Sequence, residues 1–259
     1  MNDGASLQGL RVLVTRPAAQ ADALCHLLEA RGATALRLPL QSIEPVRQTA
    51  TAARALAQAR AAEAWIFTSA NAVRQARRID SGVWPRSIAL GAATAAVLRQ
   101  LGCEVDLPDG AYSSEAVLAL PALQDVGGRR IVIVTGEGGR DALESALMAR
   151  GAELEVIAVY RRVNLPHDPQ SAARMVEQAD VAVITNGEAL ARLMALMPVG
   201  REDRLRRLPL VVPSHRVVEQ AQRLGFLSTP RVPEQVTDAA YLHCLECWRA
   251  ETDRDDRTS

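Results

Sequence analysis

The chain has 259 residues, 48% of them hydrophobic, so it is long enough to bury a core in one large domain or two small ones. Its 30 basic and 30 acidic side chains cancel, which leaves no global field to draw it to nucleic acid or an anionic membrane. Every basic residue is arginine, which excludes a Schiff base to pyridoxal phosphate or a carbonyl substrate, and a lysine-bearing phosphate loop.

Anion binding must therefore be local, and the planar guanidinium suits carboxylates and phosphates. Four cysteines, at 25, 103, 244 and 247, make no disulfide framework in a chain of this size. No run approaches the ~18 apolar residues of a membrane span, and MNDGASLQG lacks a secretory pattern. The expectation is a cytoplasmic protein.

Six segments repeat one plan, in which a β-branched run ends in a small or polar turn and passes into a helical Ala/Leu/Arg pattern. The first, RVLVTRPAAQADALCHLLEARG, has Thr15 and Arg16 at its turn and is followed by the extended stretch LRLPLQSI (36–43). TATAARALAQARAAEA then reads as an exposed helix. AWIFTSANAVRQA carries Thr68, Ser69 and Asn71, and RSIALGAATAAVLRQLG carries Thr94. RIVIVTGEGGRDALESALMARG holds Gly136, Gly138, Gly139 and Arg140, and LEVIAVYRR (154–162) follows with Tyr160. VAVITNGEALARL contributes Thr185, Asn186 and Gly187, and LPLVVPSHRVVEQAQRLG contributes Ser214 and Arg216. His243, Cys244 and Cys247 in HCLECW read as an inert helical set, because a structural zinc needs a second ligand pair. The charged tail RAETDRDDRTS, without apolar anchors, is expected to be disordered.

Alternating strands and helices predict an α/β fold with parallel sheets covered on both faces. The first and fourth segments share ARGA, the second and fifth a Thr-polar-small turn, and the third and sixth a closing Leu-Gly. This weak duplication predicts two similar lobes, 1–38 with 163–259, and 44–158, joined by extended linkers at 39–43 and 159–162.

In such sheets the carboxyl ends of the strands, beside helix N-termini, form the ligand side. A Thr, Ser or Asn there caps its helix first of all. Six such turns, three per lobe, would also line a cleft of neutral donors suited to a large, multiply anionic ligand. GEGG is not the dinucleotide pattern GxGxxG, but it allows close backbone approach, and Arg140 suits a carboxylate. Tyr160 is either a core residue or a hydroxyl aimed into the cleft from a linker. No GxSxG, HExxH or paired CxxC motif is present, and the four histidines suggest no triad, so an enzyme built this way would rely on its substrate's own reactivity.

The ordered set VLVTRPAAQADAL, FTSANAV, WPRSIALGAATAAVLRQLG, SSEAVLALPAL, GRRIVIVTGEGGRDALESALMARGAELEVIAVYRR, VITNGEAL and VVPSHRVVEQAQRLGF resembles the uroporphyrinogen-III synthase family from about 10 to 230. The resemblance implies two α/β lobes with the active cleft between them. It implies cyclisation of hydroxymethylbilane with inversion of ring D and loss of water, without metal or organic cofactor. It places Tyr160 at the family's catalytic tyrosine, and Thr15, Arg16, Ser69, Asn71, Thr94, Gly136, Arg140, Thr185, Asn186, Gly187, Ser214 and Arg216 at substrate-binding positions. Asn186 stands where a serine is frequent, and Ser214, His215 and Arg216 replace paired threonines. The partners implied are the small-molecule bilane and a transient contact with the preceding pathway enzyme, the chain itself acting as a monomer. The rival readings are a non-catalytic bilobal module for an anionic ligand and a nucleotide-dependent enzyme, the latter opposed by the missing lysine.

Overall fold

The computed structural model describes residues 6–108, 114–138 and 141–258. In chain order the elements are β1 (Arg11–Val14), α1 (Ala18–Ala30), β2 (Thr34–Arg37), β3 (Gln41–Pro45), α2 (Thr49–Ala59), β4 (Ala64–Phe67), α3 (Ala70–Ile79), β5 (Arg86–Ala89), α4 (Ala92–Gln100), β6 (Val105–Asp106) and α5 (Ser114–Leu118). There follow a short 3-10 turn at Pro121–Leu123, β7 (Arg130–Gly136), α6 (Asp141–Ala149), β8 (Glu153–Asn164), α7 (Pro169–Gln178), β9 (Val181–Val183), α8 (Gly187–Leu196), α9 (Glu202–Arg207), β10 (Leu210–Val211), α10 (His215–Arg223) and α11 (Asp238–Thr258).

The chain divides into two compact units, residues 1–42 with 163–259 (unit 1) and Ile43–Arg162 (unit 2). It leaves unit 1 along β3 and returns along β8. Unit 1 holds the sheet β10-β9-β1-β2, and the second sheet runs β3-β8-β7-β4-β5-β6. The pairings of β1 with β2 and β9, of β9 with β10, of β4 with β5 and β7, of β5 with β6 and of β7 with β8 are all parallel. Matched segments take equivalent places, since β10-β9-β1-β2 corresponds to β5-β4-β7-β8 in order.

Both sheets bury both faces, and the period of two decides which residue faces which helices. In unit 1, Leu13 and Ala182 pack with α7, α8 and α10, whereas Val12, Val14, Val181 and Val183 pack with α1 and α11. In unit 2, Trp65, Phe67, Val132 and Val134 face α2, α3 and α4, and Ile66, Ile131 and Ile133 face α5 and α6. Each buried Val, Leu, Ile or Phe among them contributes about 1.5–3 kcal/mol by leaving water, and a one-residue slip of register would turn every one of them to the opposite face and the wrong helices.

The repeated ARGA has one structural meaning. Gly32 and Gly151 adopt φ +82° and +81° just past α1 and α6, and the next residues, Ala33 and Ala152, donate to Leu28 and Leu147 across the helix end at 3.1 Å each. A left-handed residue there satisfies orphan carbonyls, which favours glycine.

Two expectations need correction. The Ala-rich α2 is not an exposed helix: Ala52, Leu56 and Ala59 form a buried face. The charged tail is not disordered, for α11 continues through Thr258. Tyr241, Leu242 and Leu245 anchor this helix in the core, and Arg249–Asp253 at 3.2 Å, Arg231–Glu251 and a Thr252 Oγ1 bond to the Trp248 carbonyl at 2.9 Å extend it. Pairs one turn apart support a helix that composition alone does not.

Candidate functional site

The polar groups of unit 2 converge where β7 ends, beside Tyr160 of β8 and the β4–α3 turn. Tyr160, 1% exposed, stands opposite Gly136 in the β7–β8 ladder, at a register shift between Thr135 and Gly136. A Cβ on Gly136 would lie 2.5 Å from the Tyr160 Cζ, so the glycine is required for the ring to lie flat on the neighbouring strand. The Tyr160 hydroxyl is 3.2 Å from Ser69 Oγ and receives an Arg162 Nη2 hydrogen bond at 3.1 Å. The guanidinium carbon of Arg162 also sits 5.5 Å from the ring centroid. Ser69 is the N-cap of α3, its Oγ accepting from the Ala72 N–H at 3.1 Å.

This settles the TSANAV turn in part against expectation. Ser69 is the side-chain N-cap of α3. Thr68 Oγ1 instead donates to Thr135 Oγ1 at 2.8 Å, tying β4 to β7, and half-buried Asn71 lies in the first turn of α3. Thr94 is 4% exposed, inside the first turn of α4, whose N-cap is Gly91. Gly139 and Arg140 lie outside the described residues.

Unit 1 arranges its strand ends differently. Asn186 caps α8 through an Ala189 N–H bond of 2.8 Å, and its Nδ2 donates to Gln41 Oε1 at 3.2 Å. Gln41, 4% exposed, in turn reaches Asn164 Oδ1 at 3.2 Å. Thr185 and Gly187 flank that cap, and the Gly187 carbonyl accepts from Gln220 at 2.8 Å. Ser214 is positioned as the N-cap of α10 but makes no side-chain cap bond, and Arg216 is exposed in its first turn. Thr15, 1% exposed, donates to the Val183 carbonyl at 2.9 Å and so pins β1 to β9. Arg16 pairs with Asp238 and lies 4.7 Å over the Tyr241 ring. Burial pushes the Tyr241 phenol up to about 12, which keeps it neutral beneath the arginine.

Arg162 and Gln41 did not figure among the residues singled out from the sequence. Arg162 carried a signal, because it lies two positions from Tyr160 on a strand and therefore shares its face. Gln41 carried less, a lone amide in an apolar linker. His243 Nε2 and Cys247 Sγ are 3.6 Å apart on α11, and no group of three or more potential metal ligands is found among the described residues.

Comparison with known proteins adds an independent line. The family model described as uroporphyrinogen-III synthase HemD matches residues 22–242. A uroporphyrinogen-III synthase of Salmonella typhimurium is 34% identical over 92% of this chain and 100% of its own length. Its Escherichia coli counterpart is 31% identical over the same shares. Among solved structures, a uroporphyrinogen III synthase mutant of Thermus thermophilus superposes with a TM-score of 0.62 at 20% identity, covering 94% of this chain and 100% of that one. The Helicobacter pylori enzyme gives 0.57 at 14% identity, covering 93% and 99%. The solved structures speak to the α/β fold alone.

Proposed function

The chain belongs to the uroporphyrinogen-III synthase family, and from that membership we propose how its own residues serve the reaction. The activity is the cofactor-independent cyclisation of hydroxymethylbilane with inversion of ring D and loss of water, a step of heme biosynthesis. The matched relatives are enzymes, so the non-catalytic binding module has nothing in its favour.

The substrate carries its own driving force. A pyrrole nitrogen can push out the terminal hydroxyl and leave an electrophilic azafulvenium, which ring D attacks through a spiro intermediate. What the protein must add is a proton for the departing oxygen and a fold that brings the chain ends together. Tyr160 is the acid in this reading. The observation that carries it is its hydroxyl, held on β8 beside the carboxyl end of β7, between the Ser69 cap and the Arg162 guanidinium.

The substrate's carboxylates are taken by backbone N–H groups at the turns of Ser69, Gly136 and Asn186–Gly187, where the helix dipole assists. Thr185, Ser214, Arg216 and Arg140 add side-chain donors. Thr15, Thr94 and Arg16 hold these turns in place. The chain works as a cytoplasmic monomer and meets the preceding pathway enzyme transiently. No helix among the described residues is long and apolar enough to cross a membrane.

The test is to add the protein to freshly made hydroxymethylbilane, oxidise the products and separate porphyrin isomers. Dominant isomer III is expected. Isomer I alone, the product of spontaneous closure, from demonstrably folded protein would overturn the reading.

A further inference from the structure

We infer that Ser69, rather than Tyr160 itself, hands the proton to the leaving hydroxyl, at the end of a directed chain from Arg162 through Tyr160. The inference rests on the reading of Tyr160 as the acid of this site.

Hydrogen-bond counting sets the direction. A guanidinium has donors only, so Arg162 donates to the Tyr160 oxygen at 3.1 Å. Tyr160 is 1% exposed, and a buried hydroxyl proton without an acceptor is disfavoured. Among the described residues the acceptor beside it is Ser69 Oγ, 3.2 Å away. That oxygen also accepts the Ala72 N–H at 3.1 Å. A serine hydroxyl has two acceptor positions and one proton. With both positions engaged, the Ser69 proton points away from Tyr160 and from the helix end. Ser69 is half-buried where Tyr160 is buried, so of the two hydroxyls it is the one that a bound substrate meets.

The step balances. As the pyrrole nitrogen lone pair forms the C=N bond and the C–O bond breaks, the departing oxygen takes the Ser69 proton and leaves as water. Ser69 takes the Tyr160 proton, and the phenolate remains beside the Arg162 guanidinium. The proton shed by the pyrrole carbon that closes the macrocycle then returns along the chain.

The experiment compares kcat and KM for isomer III formation in the full chain and in Ser69→Gly, Ser69→Thr, Tyr160→Phe and the Ser69→Gly/Tyr160→Phe double variant. Glycine is nearly as good an N-cap as serine, and thermal melting checks the fold of each. Ser69→Gly is expected to lower kcat by about 100-fold with KM little changed, on the scale of general-acid catalysis. Ser69→Thr, which restores the hydroxyl, should stay within about tenfold of the parent, and the double variant should be no slower than the slower single one, because the groups act in series. Should glycine unfold the chain, Ser69→Asn replaces it, keeping the cap acceptor without adding a charge or an acidic proton, with the same expectation.

Ser69→Gly close to the parent while Tyr160→Phe is slow would overturn the chain and leave Tyr160 touching substrate directly. A threonine variant as slow as glycine, or losses that multiply in the double variant, would overturn it also. If both single variants turn over like the parent, the reading of Tyr160 as the acid falls instead.

Discussion

The two units use one plan of strand, polar turn and helix, yet they treat the polar groups at their strand ends in opposite ways. In unit 1 three of the groups are tied into the scaffold. Thr15 bonds the neighbouring strand, Arg16 is paired to Asp238, and Asn186 is locked between its own helix and Gln41. In unit 2 Ser69, the N-cap of α3, and Arg162, on β8, both bond to the hydroxyl of buried Tyr160. A network closed on the backbone stabilises; a network closed on a titratable hydroxyl can move a proton. The same local sequence signal thus has two outcomes, and the difference lies in what each side chain meets across the sheet.

The largest effect expected from breaking this contrast is on turnover. Tyr160→Phe keeps the ring against Gly136 and removes the hydroxyl, so kcat for isomer III should fall about 100-fold or more while the melting temperature changes little. An equal loss of stability and activity would make Tyr160 a packing residue like those of unit 1. Next comes Gly136→Ala. Its Cβ would sit 2.5 Å from the Tyr160 ring, and displacing that ring should lower stability by about 1–3 kcal/mol in urea unfolding, with a loss of activity larger than the stability change explains. An unchanged enzyme would mean that the strand gives way more easily than its register suggests.

In unit 1, Asn186→Ala removes the α8 cap and the hydrogen bond that Asn186 Nδ2 gives to Gln41 Oε1. About 1–2 kcal/mol of stability should be lost, and Asn186→Asp should recover part of it through the cap. A kcat loss without a stability loss would move Asn186 out of the scaffold. The smallest effect concerns acid stability. Burial pushes the Asp80 carboxyl up, but hydrogen bonds from Arg60, Trp84 and the Gly82 N–H outweigh it and hold it below its ordinary value. A carboxylate depressed on folding stabilises above its unfolded pKa of about 4 and loses that contribution as pH falls through the lower folded value. Asp80→Asn should therefore be less stable at neutral pH and lose less on acidification. Parallel stability curves for the two proteins would deny Asp80 that role.

How much of this was legible in the sequence depends on the range of the interaction involved. The β-branched runs VLV, WIF and IVIV, the helical periods and the Gly caps are local signals, and they sufficed for an α/β fold with parallel sheets and for the correspondence between matched segments. The order of the turns sufficed for the family. Ser69 and Asn186 were legible as caps because a cap acts three residues away.

The rest required partners distant in the chain. Thr68 meets Thr135, and Thr15 meets the Val183 carbonyl; each looks like a cap from its neighbours and is decided by the adjacent strand. The tail RAETDRDDRTS has the composition of a solvated segment, but Arg231, far from it in sequence, meets Glu251 and helps hold it helical. Most of all, Tyr160 by itself was a tyrosine at the end of an apolar run. Only parallel pairing of β8 with β7, and of β7 with β4, sets its hydroxyl beside Ser69, because a hydrogen bond is fixed by positions within about 3 Å and the chain separates these residues by 91 positions.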